Sequence, residues 1–172
     1  MRRAAEGGIS GSMKASCAHA GETTGLRAGA LAHALDDAEQ RCAEAEERLT
    51  GPRRRVLELL LAADGPVKAY DLIAGFGATG EAAKPPTVYR ALEFLERLGF
   101  AHRLESLNAY VTCRHPHHHD MAAFAICEEC GSVKEFTDSQ ISERLAHWSE
   151  SNAFSPKKVT VEVRGLCESC AK

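Results

Sequence analysis

The residues with the clearest chemical potential are two cysteine pairs in the C-terminal third of the chain. Cys127 and Cys130 form one Cys-x-x-Cys pair, and Cys167 and Cys170 form a second pair close to the C-terminus. Each spacing presents two thiolates to one ion, and four thiolates are a common tetrahedral ligand set for structural zinc. The separation of the pairs is longer than in a simple zinc ribbon. We therefore predict a structural zinc site that fastens the end of the chain to the first pair.

A further cysteine beside a cluster of histidines indicates a second metal site. Cys113 ends a strand-like run, and each of four following histidines offers a nitrogen donor. These are His115, His117, His118 and His119. A thiolate is a soft ligand that suits zinc, whereas iron and manganese sensors rely more on nitrogen and oxygen donors. The residues alone leave open which histidine would bind.

Composition and charge set the broad class. The chain has 172 residues, which suits one domain or two small ones, and its 44% hydrophobic and 26% charged residues are typical of a soluble protein. No apolar run approaches the roughly 20 residues of a membrane span, and no apolar segment follows the N-terminal arginines. We expect a cytoplasmic protein, where paired cysteines bind metal rather than form disulfides. The net charge of −3 argues mildly against a nucleic-acid partner.

The elements that must position these groups begin with helices. Helical spacing of apolar residues predicts a helix over 31–49 and a second one after Thr50, a plausible N-cap, with Pro52 in its first turn. An Asp-Gly-Pro sequence at 64–66 ends the second helix, and a short third helix covers 68–76. Two prolines open a fourth helix at 85, and Gly99 suits its C-terminal cap.

Strand-like runs at 100–105 and 109–113 follow the helices and predict the hairpin of a winged helix-turn-helix domain. Beyond residue 120 the pattern indicates strands at 124–126, 133–136 and 158–163, and a helix at 138–148. In the last strand, Val159, Val161 and Val163 should face inward. The helix should place Ile141, Leu145 and Trp148 on one side. A domain this small needs a metal or a partner for stability.

The predicted fold class is therefore α+β, with an N-terminal winged helix-turn-helix domain and a small C-terminal α/β dimerisation domain. The expected organisation is a disordered extension at 1–28, the winged-helix domain at 29–113, a hinge at 114–120 and the zinc-binding dimerisation domain at 121–172.

Several motifs together resemble the ferric uptake regulator superfamily, and most closely its zinc-uptake-regulator branch. They are AYDLI at 69–73, KPPTVYRALEFL at 84–95, His102, Glu105-Ser106, NAYV at 108–111, Cys113, ICEECGSVKE at 126–135 and GLCESC at 165–170. The resemblance implies a homodimeric, zinc-dependent repressor that binds palindromic operators of zinc-uptake genes and releases them when zinc is scarce. It also implies that His102, Cys113, Glu135 and one hinge histidine hold a regulatory zinc, with His119 favoured over His117. Two zinc ions per subunit follow.

The fourth helix, at 85–98, is the expected recognition helix for double-stranded operator DNA. Arg90 suits a bidentate bond to guanine, and Tyr89 offers a ring and a hydroxyl to base edges or phosphate. Thr87 near the helix start suits phosphate, and the resemblance supports a DNA contact for Tyr70. Arg53, Arg54 and Arg55 add positive charge nearby.

Two alternatives accompany this interpretation. A redox enzyme could use Cys127 and Cys130 as an exchange dithiol, but the second cysteine pair and the lack of a thioredoxin-like context oppose it. A sister regulator that senses ferrous iron or peroxide remains the closer alternative. We expect no enzymatic activity, no membrane partner and no small organic substrate.

Overall fold

Four helices form the first half of the computed structural model, which describes residues 25–77, 84–113 and 121–171. They are α1 (Ala28–Glu44), α2 (Gly51–Ala62), α3 (Ala69–Gly77) and α4 (Pro85–Arg97). Prolines in the first turns of α2 and α4 cost no hydrogen bond, because those amides have no partner within a helix. Thr50 occupies the N-cap of α2 as predicted, but its side chain makes no capping hydrogen bond. Cys42 of α1 is fully buried, as its place on the apolar stripe predicts.

A three-stranded antiparallel sheet follows α4 and forms the wing. Its strands are β1 (Val67–Lys68), β2 (Ala101–Leu104) and β3 (Ala109–Thr112), in the order β1-β3-β2. The sequence predicted β2 and β3 but missed β1, which is only two residues long. Gly99 connects α4 to the wing with a φ of 68°, a left-handed conformation that favours glycine.

A second three-stranded sheet forms the C-terminal part. It consists of β4 (Ala122–Cys127), β5 (Val133–Phe136) and β6 (Thr160–Gly165), in the order β5-β4-β6. Strands β4 and β6 are parallel, and the crossover between β5 and β6 contains α5 (Ser139–Ser151). The Asp138 carboxylate caps α5 by accepting the amides of Gln140 and Ile141. The observed elements confirm the predicted α+β class.

Two apolar cores hold the described parts together. The larger core packs α1, α2, α3 and α4 against the wing and includes Leu57, Val88 and Leu95. The smaller core joins the wing to the C-terminal sheet. Its members are Leu104, Val111, Ala122, Phe124, Ile126 and Val133. The wing therefore packs on β4 and β5 instead of projecting alone into solvent.

One face of the C-terminal part exposes large apolar side chains. The prediction that Val163 faces inward is wrong for the isolated protomer, because Glu162 points toward the wing and alternation along β6 places Val163 on the opposite face, where it is 51% exposed. Val159 and Val161 are half-buried. Trp148 of α5 is 55% exposed, and its ring lies 5.9 Å from that of the exposed Phe154. Ile141 and Leu145, which the sequence placed on the same side as Trp148, are half-buried.

The structure describes only the last residues of the predicted extension and none of the predicted hinge. Residues 1–24 and 114–120 lie outside the described residues, so both boundaries stay predictions. Within the predicted extension, the Gly25 amide donates to the Asp64 carboxylate and the Leu26 amide donates to the Leu61 carbonyl. None of the helices in the described ranges is both long and apolar enough to cross a bilayer.

Candidate metal centres and nucleic-acid interface

The two cysteine pairs meet in space at one end of the C-terminal sheet. Cys127 ends β4, Cys130 lies in the following turn, and Cys167 and Cys170 follow β6. Because β4 and β6 are parallel and Cys127 pairs with Gly165, both Cys-x-x-Cys turns emerge at the same edge. The four sulfur atoms lie within 4.8 Å of one another, which fits a tetrahedral thiolate site.

The surroundings of the cluster favour the thiolate at Cys127 and Cys130 and disfavour it at Cys170. The backbone amide of Cys130, followed by that of Cys167 at 3.4 Å, lowers the pKa of Cys127 to about 6. The hydroxyl and amide of Ser132 lower the pKa of Cys130, whose sulfur lies 3.2 Å from that hydroxyl. Thiol contacts with Cys167 and then Cys130 raise the pKa of Cys170 to about 12. Four thiols this close cannot all ionise without a cation, so the donor chemistry fits zinc.

A second cluster joins the wing to the C-terminal sheet. His102 of β2, Cys113 at the end of β3 and Glu135 of β5 place one donor atom each within 4.8 Å of the others. The Cys113 sulfur lies 3.9 Å from a Glu135 carboxylate oxygen. The His102 ring packs against Phe124 of β4, with ring centroids 5.4 Å apart.

The donor set of this second cluster suits zinc. One thiol, one imidazole and one carboxylate supply three members of a tetrahedral shell, and the thiol favours zinc over harder ions. His119, the predicted fourth ligand, lies outside the described residues, as does His117. The choice among the hinge histidines therefore stays a prediction.

The predicted DNA contacts lie on the solvent side of α3 and α4. Tyr70 at the start of α3 is 78% exposed, and Tyr89 and Arg90 are exposed on α4. Thr87 is half-buried in the first turn of α4. Val88 and Leu92 on the opposite side of α4 are buried in the larger core, so packing fixes which side of the helix faces outward.

The three consecutive arginines of α2 are engaged within the protomer. The Arg53 guanidinium stacks on Phe94, 3.5 Å from the ring centroid. Arg54 and Arg55 form ion pairs with Glu39 and Glu58. This pairing offsets their positive charge, so they form a weaker basic patch than the sequence predicted.

Sequence reasoning missed one contact between the wing and the C-terminal sheet. The Glu162 carboxylate of β6 accepts the backbone amides of Glu105 and Ser106 at 2.7 and 3.1 Å. The only sequence signal is a glutamate at a polar position of an alternating strand, which does not identify a partner.

Comparison with known proteins identifies a family and a group of similar regulators. The family model described as "Ferric uptake regulator family" matches residues 44–164. The zinc uptake regulation protein of Escherichia coli (strain K12) is 39% identical over 141 residues, which cover 80% of this chain and 81% of that protein. The ferric uptake regulation protein of Shigella flexneri is 34% identical over 123 residues, covering 70% of this chain and 81% of the relative.

Solved structures give matching folds. A zinc uptake regulator complexed with zinc and DNA matches with a TM-score of 0.77 and 37% identity, covering 82% of this chain and 95% of that one. The crystal structure of holo XcZur matches with a TM-score of 0.73 and 41% identity, covering 81% and 97%. The predicted resemblance is confirmed: the chain belongs to the ferric uptake regulator family, with zinc uptake regulators among its similar relatives, and is a transcriptional regulator rather than an enzyme.

Proposed function

We propose that this protein is a zinc-responsive transcriptional repressor of the cytoplasm. A homodimer with two zinc ions per subunit binds palindromic operators of zinc-uptake genes and releases them when zinc is scarce. The ion of the four cysteines is structural, and the ion of the second cluster is regulatory. The similarity to zinc uptake regulators supports zinc-uptake genes as the regulated class.

The observation that carries the proposal is the composition and position of the second cluster. His102 and Cys113 belong to the wing, whereas Glu135 belongs to the C-terminal sheet. Bound zinc supplies a bond between these two parts of the chain. Without zinc, the Glu135 carboxylate and the Cys113 thiol, 3.9 Å apart, lose the ion that would bind both. The position of the winged domain thereby becomes dependent on zinc.

The DNA half of the proposal rests on α4. Arg90 and Tyr89 are exposed beside each other near the start of this helix, which suits entry into a major groove. Tyr70 and Thr87 are assigned to flanking phosphates or bases. A relative with a TM-score of 0.77 has been solved in complex with zinc and DNA, which supports DNA as the partner.

Homodimerisation is supported by the uncovered apolar face of the C-terminal part. Trp148, Phe154, Val163 and Leu166 are each more than half exposed in the protomer. Trp148 and Phe154 contact each other, and exposed apolar side chains that lie together mark protein interfaces. A second copy that covers them would place two α4 helices for the two halves of a palindromic operator.

Metal selectivity of operator binding tests the proposal. Duplexes are first selected from a random-sequence pool separately with zinc, ferrous iron and manganese. Binding of the selected duplexes is then titrated against each free metal ion in a metal buffer, under reducing conditions. We expect half-maximal binding at a free zinc concentration at least about 100-fold below that of iron or manganese.

The same titration separates the alternatives. Half-maximal operator binding at a lower free concentration of iron than of zinc would identify a regulator that senses ferrous iron. Loss of binding after peroxide treatment in the presence of iron would identify a regulator that senses peroxide. Binding that no metal changes would contradict the proposal. A zinc count on the reduced protein adds a check, since an exchange dithiol at Cys127 and Cys130 would hold no tightly bound ion.

A further inference from the structure

The carboxylate of Glu162 in β6 contacts the turn of the wing. The wing turn joins β2 to β3 and contains Glu105 and Ser106. Its two amides donate to the two carboxylate oxygens of Glu162, at 2.7 Å from Glu105 and 3.1 Å from Ser106. Hydrogen bonds to an ionised acceptor are stronger than neutral ones, and each amide here has a separate oxygen.

The sheet register shows why Glu162 can reach this turn. Phe124 of the central strand β4 pairs with Glu135 on one side and with Glu162 on the other. Residues in register on neighbouring strands place their side chains on the same face of a sheet. Glu135, Phe124 and Glu162 therefore form one row across the sheet, and all three point toward the wing.

Each member of this row contacts a different part of the wing. Glu135 lies beside Cys113, Phe124 packs on the His102 ring, and Glu162 binds the turn. The turn begins three residues beyond His102, a distance of roughly 10 Å along β2. Besides the apolar core that it shares with the sheet, the wing thus has polar contacts with the sheet at two separate places, of which only one contains candidate metal ligands.

Two attachment points restrain a body more than one does. The apolar contacts of Leu104 and Val111 with the sheet are non-directional, whereas the two hydrogen bonds at the turn fix the distance between the turn and β6. These bonds restrain the wing and help to keep His102 and Cys113 facing Glu135. Two arginines allow the carboxylates of Glu105 and Glu162 to lie near each other. Arg103 lies 3.2 Å from the Glu105 carboxylate, and Arg164 of β6 favours the charged form of Glu162.

The charge state of Glu162 agrees with this geometry. Burial opposes ionisation, but the hydroxyl and amide of Ser106 and the amide of Glu105 outweigh it, so the pKa of Glu162 lies below its ordinary value. The carboxylate is therefore ionised at neutral pH, where it accepts both bonds.

We propose that Glu162 is a positioning residue that holds the wing in the DNA-binding orientation independently of metal and so lowers the zinc concentration needed for operator binding. This proposal rests on the proposed function of a zinc-dependent repressor. The pair of hydrogen bonds from the wing turn to Glu162, here called the clamp, forms in a protomer that matches a relative solved with zinc and DNA with a TM-score of 0.77.

The test compares wild type with Glu162→Ala, Glu162→Gln and the control Glu143→Gln, an exposed glutamate of α5. Two quantities are measured on the full chain: hydrogen exchange of the Glu105 and Ser106 amides, and the free zinc concentration for half-maximal operator binding. We expect Glu162→Ala to speed exchange and to raise the zinc midpoint, each by about tenfold. Glu162→Gln should be intermediate, since its amide oxygen accepts without charge, and Glu143→Gln should match wild type.

Each outcome has a defined meaning. Unchanged exchange in Glu162→Ala shows that no clamp exists, and faster exchange with an unchanged zinc midpoint shows that the contact is structural only. Either result overturns the proposal. The four-cysteine zinc content must stay constant, which excludes general misfolding. If wild type itself lacks zinc-dependent operator binding, the proposed function fails, while the amide exchange still reports whether the clamp forms.

Discussion

Single side chains decide which ion this protein can sense. In the second cluster, His102 and Glu135 supply donors that iron and manganese also accept, and the thiol of Cys113 is the group that distinguishes zinc. The same residue directly follows β3, so a metal bound to it would be coupled directly to the wing. The Cys113 sulfur would therefore determine both the metal selectivity of the site and its coupling to the wing.

We predict that Cys113→Ser abolishes zinc-stimulated operator binding while the protein keeps its structural zinc and its dimeric state. A hydroxyl is a poorer zinc ligand than a thiolate, so the regulatory site should lose at least about 100-fold in zinc affinity. Gel shifts in zinc buffers measure the DNA response, and a metal count measures the structural ion. Cys17→Ser, a cysteine assigned to no site, serves as the control. A mutant that still shifts operator DNA at the wild-type zinc concentration contradicts the assignment.

Among single residues, the sequence predicted those whose type and spacing indicate metal binding. Paired cysteines reveal themselves by spacing, and resemblance added His102 and Glu135. Glu162 could not be found in the same way, because its partners are backbone amides that have no residue identity. Its role depends on the register of β4 with β6, which no local pattern specifies.

Among the elements, α4 carries the proposed DNA contacts and the wing carries two candidate metal donors, so the proposed function requires a defined angle between them. Gly99 sits between them with a φ of 68°. Its amide donates to the Glu96 carbonyl, and the following Phe100 amide donates to the Leu95 carbonyl, which closes the helix end before β2 begins. The turn is therefore short and depends on one glycine.

We predict that Gly99→Ala lowers the free energy of unfolding by about 1–2 kcal/mol, because a Cβ is unfavourable in the left-handed region. The matched control is Gly51→Ala at the start of α2, where φ is not positive and an added Cβ meets no atom within 4 Å. That change should be neutral or stabilise by up to about 1 kcal/mol. Denaturant unfolding at fixed protein and zinc concentrations measures both. Equal effects of the two substitutions would refute the role assigned to the turn.

Most helices and strands could be predicted because their apolar periodicity is strong. The structure matches the predicted strand at 133–136 and places α4 between its prolines and Gly99. Strand β1 was missed because two residues carry no periodicity, and it exists only through pairing with β3. The helix predicted at 138–148 extends to Ser151, since no residue after Trp148 breaks a helix.

For the whole molecule, the sequence indicated two domains with a hinge, and it did not reveal how closely they pack. Leu104 and Val111 of the wing share a core with Phe124 and Ile126 of the C-terminal sheet. An ion pair between Lys158 and Glu96 spans the same boundary at 2.7 Å, although an exposed pair of this kind contributes little. The proposed zinc response would therefore act on parts that already touch, where a small change in bonding can shift their arrangement.

The uncovered apolar face of the C-terminal part leads to a prediction about assembly. The rings of Trp148 and Phe154 contact each other in a tilted arrangement with centroids 5.9 Å apart, and both residues are more than half exposed in the protomer. Aromatic side chains of this kind often dominate the binding energy of an interface. We predict that Trp148→Glu weakens dimerisation at least about 100-fold, because it removes an apolar anchor and places a charge against an apolar partner.

The control for this substitution is His147→Glu, which introduces the same charge at the exposed neighbouring position of α5 but about 100° away around the helix axis. Analytical ultracentrifugation over a concentration series measures the dimer dissociation constant, and it should change little in the control. Operator binding supplies a second readout: separate protomers must bind each half of a palindrome independently, so the Trp148→Glu protein should lose affinity for the full operator and keep its weak affinity for a half-site. A Trp148→Glu protein that stays dimeric at micromolar concentration would show that the second copy covers a different face, and the spacing of the two α4 helices would then have to come from another interface.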